Sequence, residues 1–279
     1  MQSVREFDHA LILVSDLDDG DARMRKLGFR PTPRGVHSAH MGTANSTIML
    51  SDMTYFEVIG VLNPTPSNEG MRIMLERGQG LFGYAVKTGD VHTTMTELAA
   101  LSANAGDVVE FSRAVDLPGG PRDAAFSIIN IDPARALGLK MFTCQHHTPD
   151  VVWREDYLEQ PNGVTGVAAV VGAARDLNVA EASLRLLFGD RVAVQGGEVT
   201  IGFDNSTVTF LSPDELLSRF GLKAFDEPAL HVLRLRTRDL DLTRRTLTGN
   251  HVEFEDRGND TLRVSPQDAC GAMIEFVPA

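Results

Sequence analysis

The chain has 279 residues, 43% of them hydrophobic and 23% charged, which is globular composition and speaks against disorder except at the ends. Its formal charge of −12 repels phosphate backbones and anionic lipid, so nucleic acid and membranes are excluded as expected partners and a small molecule remains. Two cysteines, Cys144 and Cys270, are too few for a disulfide framework, and the start reads as carrying no secretion signal, so a cytoplasmic protein with two buried thiols is expected.

Taken in chain order, the predicted elements repeat one grammar four times. An apolar strand is followed by an Asp-hydrophobic pair and a short amphipathic helix. Phe7 to Val14 leads to Asp16-Leu17, and Leu81 to Val86 leads to Asp90-Val91. Val167 to Val171 leads to Asp176-Leu177, and Leu230 to Leu235 leads to Asp239-Leu240. Each Asp suits a helix N-cap, because its carboxylate accepts from the unpaired N–H groups of the first turn. Val91, Met95 and Leu98 then share one helix face, as do Leu177, Ala180, Leu184 and Leu187. Gly28 and Gly189 follow the first and third helices as C-terminal stops. Short strands come next in every unit, including Ser46 to Leu50, Tyr55 to Val61, Val252 to Phe254 and Ala272 to Val277. Turns are expected at Gly78-Gln79-Gly80 and at Pro118-Gly119-Gly120-Pro121, neither of which has the setting of a phosphate loop.

A single such unit leaves one apolar sheet face and open edges, so units must pair. The expected architecture is α+β: four βαβββ modules forming two paired, curved-sheet half-barrels. Residues 1–147 carry modules one and two, 164–279 carry modules three and four, and 148–163 form the connector, with Trp153 anchoring it.

Asp8-His9, Gly42-Thr43-Ala44-Asn45, Tyr55-Phe56-Glu57, Trp153, Pro161-Asn162-Gly163 and Ala269-Cys270-Gly271-Ala272 leading to Glu275 resemble the vicinal-oxygen-chelate superfamily, in its four-module glyoxalase-like form. That resemblance covers nearly the whole chain. It implies a cup in which paired modules hold a divalent metal (zinc, nickel, manganese or ferrous iron) by a His of the first strand and a Glu of the last. His9 and Glu57 take those positions in module one, and Glu275 takes the last-strand position in module four. Module two offers Gly83 and Lys140/Met141, and module three offers nothing. Module one is therefore expected to pair with module four around the site, while modules two and three pair as a scaffold.

The fourth ligand is expected to be His231, on a condition. His9 precedes Asp16 by seven residues, whereas His231 precedes Asp239 by eight. A β-bulge or a shifted helix start restores the face; otherwise Val232 and Arg234 face the cup and His231 turns away. Glu57 and Glu275 are the candidate proton-transfer bases. Asn45, His37, His40 and Arg234 are the candidate substrate contacts, Arg234 for a carboxylate.

The implied activity is that of a metal-dependent isomerase or lyase on a small oxygenated molecule, as a monomer or homodimer. A metal-free binding or resistance protein with the same cup is the alternative. An extradiol-type dioxygenase is the third, although ring-cleaving relatives place two His and one Glu in modules three and four.

Overall fold

The computed structural model describes residues 1–117 and 119–279. Pro118, in one of the expected turns, lies outside the described residues.

The four-fold grammar is the architecture. Strands β1 (Val4–Val14), β2 (Gly35–Val36), β3 (Thr43–Met49) and β4 (Tyr55–Val61), with helix α1 (Leu17–Lys26), make module one. Helix α2 (Glu69–Arg77) leads to module two: β5 (Gly80–Thr88), α3 (Val91–Ala100), β6 (Ala105–Val115), β7 (Arg122–Ile131) and β8 (Lys140–His146). Two single-turn helices, α4 (Pro149–Val152) and α5 (Glu155–Leu158), occupy the connector. Module three follows as β9 (Val164–Ala173), α6 (Leu177–Phe188), β10 (Val192–Gln195), β11 (Glu198–Gly202) and β12 (Thr207–Leu211). Helix α7 (Pro213–Phe220) leads to module four: β13 (Ala229–Thr237), α8 (Leu240–Gly249), β14 (Glu255–Asp256), β15 (Leu262–Val264) and β16 (Met273–Pro278). The expected strand at Val252 to Phe254 is replaced by β14 immediately after it, at Glu255–Asp256.

All four aspartates cap as their chemistry predicts. The carboxylates of Asp16, Asp90, Asp176 and Asp239 each accept backbone N–H groups from the first turn of α1, α3, α6 and α8.

The strands form two mixed eight-stranded sheets, ordered β2-β3-β4-β1-β5-β8-β7-β6 and β10-β11-β12-β9-β13-β16-β15-β14. At the centre of each, the first strands of two consecutive modules run antiparallel, β1 against β5 and β9 against β13. This corrects the expected pairing of modules: one joins two, and three joins four. The scatter of acidic residues along the chain suggested otherwise, but adjacent modules can satisfy their central strand edges with only a short linking helix between them.

Modules one and four do meet, with their helix-bearing faces rather than their cups. One continuous apolar core takes Ala10, Ile12 and Phe29 from the first half and Leu233, Leu235 and Phe276 from the second. Phe29 stacks on Phe276 at 6.2 Å, and the Asn205 side chain bonds both backbone groups of Phe7. The two cups open away from this seam, each lined by its own smaller apolar cluster. No helix among the described residues is long and apolar enough to cross a membrane.

Candidate active site

The side chains that alternate with the seam core point into the first cup. Along β1 these are His9 and Leu11; along β4, Tyr55, Glu57 and Ile59. β1 and β4 run parallel with His9 opposite Tyr55 and Leu11 opposite Glu57. Glu57 thus sits one strand over and one pleat along from His9, roughly 8 Å away between backbones. These residues line a cavity of about 130 Å³ that also takes Asn45 and His37, four of the expected site residues on one wall system.

A bulge at the start of β1 sets the chemistry. Phe7 and His9 pair with consecutive residues of β5, Val86 and Ala85, leaving Asp8 unpaired in the ladder. Asp8 is fully buried, and its carboxylate accepts from His9 Nδ1 at 2.7 Å and from His146 Nε2 at 3.0 Å. Burial alone would push its carboxyl up. The charge and hydrogen bonds of His146, joined by those of His9, outweigh burial and hold Asp8 well below the usual carboxylate range. With Nδ1 committed to Asp8, His9 keeps Nε2, which has no protein partner among the described residues, for the cavity. Tyr55 stacks on the His9 ring at 4.2 Å and Phe142 meets its edge at 5.3 Å, fixing the plane.

Glu57 is held from the other side. Asn45 Nδ2 donates to Glu57 Oε2, while Oε1 has no partner among the described residues. Lys140, the first residue of β8, lines the same cavity, and burial lowers its ammonium pKa against the opposing pull of Glu57. His37 bonds Thr43 Oγ1 at 2.7 Å, and burial lowers its pKa.

The remaining expected residues lie elsewhere. His40 is exposed in its loop beside Ser38 and does not line the cup. Glu275 and Arg234 occupy the second cup, where Arg234 and Arg263 both grip the Glu275 carboxylate at 2.7 to 3.0 Å. Arg234 is thereby the partner of a buried glutamate, and Glu275 is spent on two guanidinium groups. His231 stands at the bulge between Leu230 and Val232, the place Asp8 holds in β1. Val232 faces the second cup, and His231 borders a separate cavity at the seam, stacked on Phe225 at 5.5 Å. The structure therefore brings His9 and Glu57 together and leaves His231 and Glu275 in the other half. The expected four-ligand centre between modules one and four does not assemble.

Could a divalent cation sit between His9 and Glu57? The matching places in module two are Gly83, Lys140 and Phe142, which supply no anionic donor and one ammonium group. That set does not fit a metal. A different group does bring ligand types together. Donor atoms of Asp8, Cys144 and His146 lie within 4.8 Å of one another, behind His9. Burial, with Asp8 adding to it, raises the Cys144 thiol well above its ordinary pKa.

Asp8, Lys140, Cys144 and His146 join this candidate site, and the sequence reading gave none of them a role in it. The signal was available for three of them. Lys140, Phe142, Cys144 and His146 are two apart on one strand and so share one face, the cup face once Phe142 is placed there.

Among curated protein sequences no relative matches. Solved structures share the fold at low identity. A hypothetical protein from Staphylococcus aureus is 13% identical with a TM-score of 0.68, covering 98% of this chain and 99% of that one. A mutant of 4-hydroxymandelate synthase from Streptomyces coelicolor is 15% identical with a TM-score of 0.60, covering 98% of this chain and 92% of that one. These likenesses concern the fold alone. The sequence likeness is more specific: residues 7–188 match the glyoxalase-like domain, and the chain belongs to that family.

Proposed function

We propose that the first cup is the active site of a glyoxalase-like isomerase or lyase that moves a proton on a small oxygenated organic molecule. One observation carries this reading: His9 is oriented through Nδ1 by a fully buried aspartate while its Nε2 is left to the cavity that Glu57 also lines. A neutral imidazole so held accepts a proton at Nε2, and the adjacent Asp8 carboxylate stabilises the resulting imidazolium. Glu57 Oε1 offers a second proton-accepting atom on the neighbouring strand, and Asn45 keeps its rotamer.

The test is solvent exchange. Incubating the protein in deuterium oxide with a panel of small ketones, hydroxyketones and keto acids should give catalysed loss of an α-proton signal by NMR. His9→Gln and Glu57→Gln should each slow it by about 10²- to 10⁴-fold. Binding without exchange across the panel would instead identify a metal-free binding protein, and the enzymatic reading would fall.

A second reading has its own observation. The Asp8, Cys144 and His146 group is a carboxylate, thiol and imidazole set that would suit zinc, nickel or ferrous iron if the metal displaced the thiol proton. A metal held there would polarise the base of the cup and act on His9 through Asp8. Elemental analysis of protein purified without chelator decides between the two. About one equivalent of a divalent metal, absent after Cys144→Ala, supports the metal; none supports the hydrogen-bonded dyad.

A further inference from the structure

Two cations in the first cup have no role in the proton-transfer reading. Arg113, on β6, is half-buried and lines the cavity, yet its guanidinium makes no hydrogen bond and no ion pair among the described residues. Room for it depends on a glycine: a Cβ built on Gly35 would lie 3.1 Å from Arg113 Nη1 and 3.0 Å from Asn45 Oδ1. Arg113 therefore reaches the Asn45–Glu57 corner of the cup. Lys140 donates to the neutral Asn130 Oδ1 at 2.5 Å and lies 5.5 Å over the Phe142 ring, again without a carboxylate partner. Among the described residues, Glu57 is the one carboxylate in the lining. A protein of charge −12 thus gives this cavity two cations and one anion. Partial burial of unpaired cations carries a desolvation cost, and a ligand anion offsets it.

We propose that the cup selects an organic carboxylate, with Arg113 as the clamp for the carboxylate group and Lys140 adding positive potential. Phe111, Phe126 and Ile128, from the same cavity, give an apolar wall for the body of the ligand. A guanidinium with its whole fork unengaged suits a planar carboxylate better than a hydroxyl or carbonyl oxygen. The substrate class deepens the proton-transfer reading, but it rests on the cup alone and is tested without turnover.

The experiment is calorimetric titration of the full chain with phenylacetate and with its neutral isostere phenylacetamide. Phenylacetate should bind at least about tenfold tighter. Arg113→Met should bring the acid down to the affinity of the amide while leaving the amide unchanged; Lys140→Met should lower acid affinity by about three- to tenfold. Equal binding of acid and amide, no binding of the acid at about 10 mM, or a preference that survives Arg113→Met would each overturn the assignment. Acid preference without any proton exchange would leave the substrate class standing and remove the proposed reaction. Exchange on neutral ketones without acid preference would do the reverse.

Discussion

Asp8 and His231 hold the same place in two repeats and behave in opposite ways. Asp8 sits in the β1 bulge and bonds two imidazoles; His231 sits in the β13 bulge and leaves Nε2 buried without a partner among the described residues. Asp8 titrates below its unfolded value, so its contribution to stability is present above about pH 4 and is lost as pH falls further. Asp8→Asn strands two histidine partners and should cost about 2–4 kcal/mol in urea unfolding at pH 7. Burial lowers the His231 pKa to about 4, below its unfolded value near 6.5. Between those limits the unfolded chain binds the proton first, so stability falls as pH drops from about 6.5 to 4, by about 3 kcal/mol from this residue. His231→Leu should flatten that part of the acid limb and, by removing an orphan nitrogen, raise stability at pH 7 by about 1 kcal/mol. An unchanged acid limb in the variant would show that the imidazole reaches water.

At the level of strands, the first cup depends on how closely β5 and β8 approach. Gly83 lies opposite Lys140 in that parallel pair, and a Cβ on Gly83 would fall 2.2 Å from the Lys140 carbonyl oxygen. The contact is backbone, so no rotamer change relieves it. Gly83→Ala should cost about 2–3 kcal/mol and displace Lys140. Unaltered urea midpoints together with unaltered phenylacetate affinity would contradict that picture. Strand and helix positions were legible in the sequence because the Asp cap, the 3.6-residue face and the two-residue alternation each have a local cause. The spacing of seven against eight residues also held the answer for His231, as Val232 and Arg234 face the second cup. Module pairing was not legible, because hydrogen bonding between central strands, not the distribution of candidate ligands, decides it. Nor was the Asp8–His146 contact, which joins residues 138 apart through a bulge that no local pattern announces.

Across the whole molecule, two half-barrels share one core, and that should govern unfolding. Each sheet faces the seam with its helix-bearing side, and the apolar cluster there draws side chains from Met1 to Phe276. Phe7 meets Phe203 at 6.4 Å and Phe29 meets Phe276 at 6.2 Å, so large aromatic side chains from both halves interlock. Neither half can keep that face dry alone, and loss of one exposes the other. The chain offers a reporter, since its one tryptophan, Trp153, is packed beneath the first cup against Tyr55 and His146. Phe276→Ala, on the last strand of the second half, should destabilise by about 3–5 kcal/mol. If the core couples the halves, the Trp153 fluorescence midpoint in urea falls together with the far-ultraviolet dichroism midpoint, as one transition. If residues 1–147 and 164–279 are independent domains, Trp153 keeps its midpoint while the dichroism splits in two. The buried aromatic contacts across the seam favour the first outcome, because their loss removes apolar burial from both sheets at once.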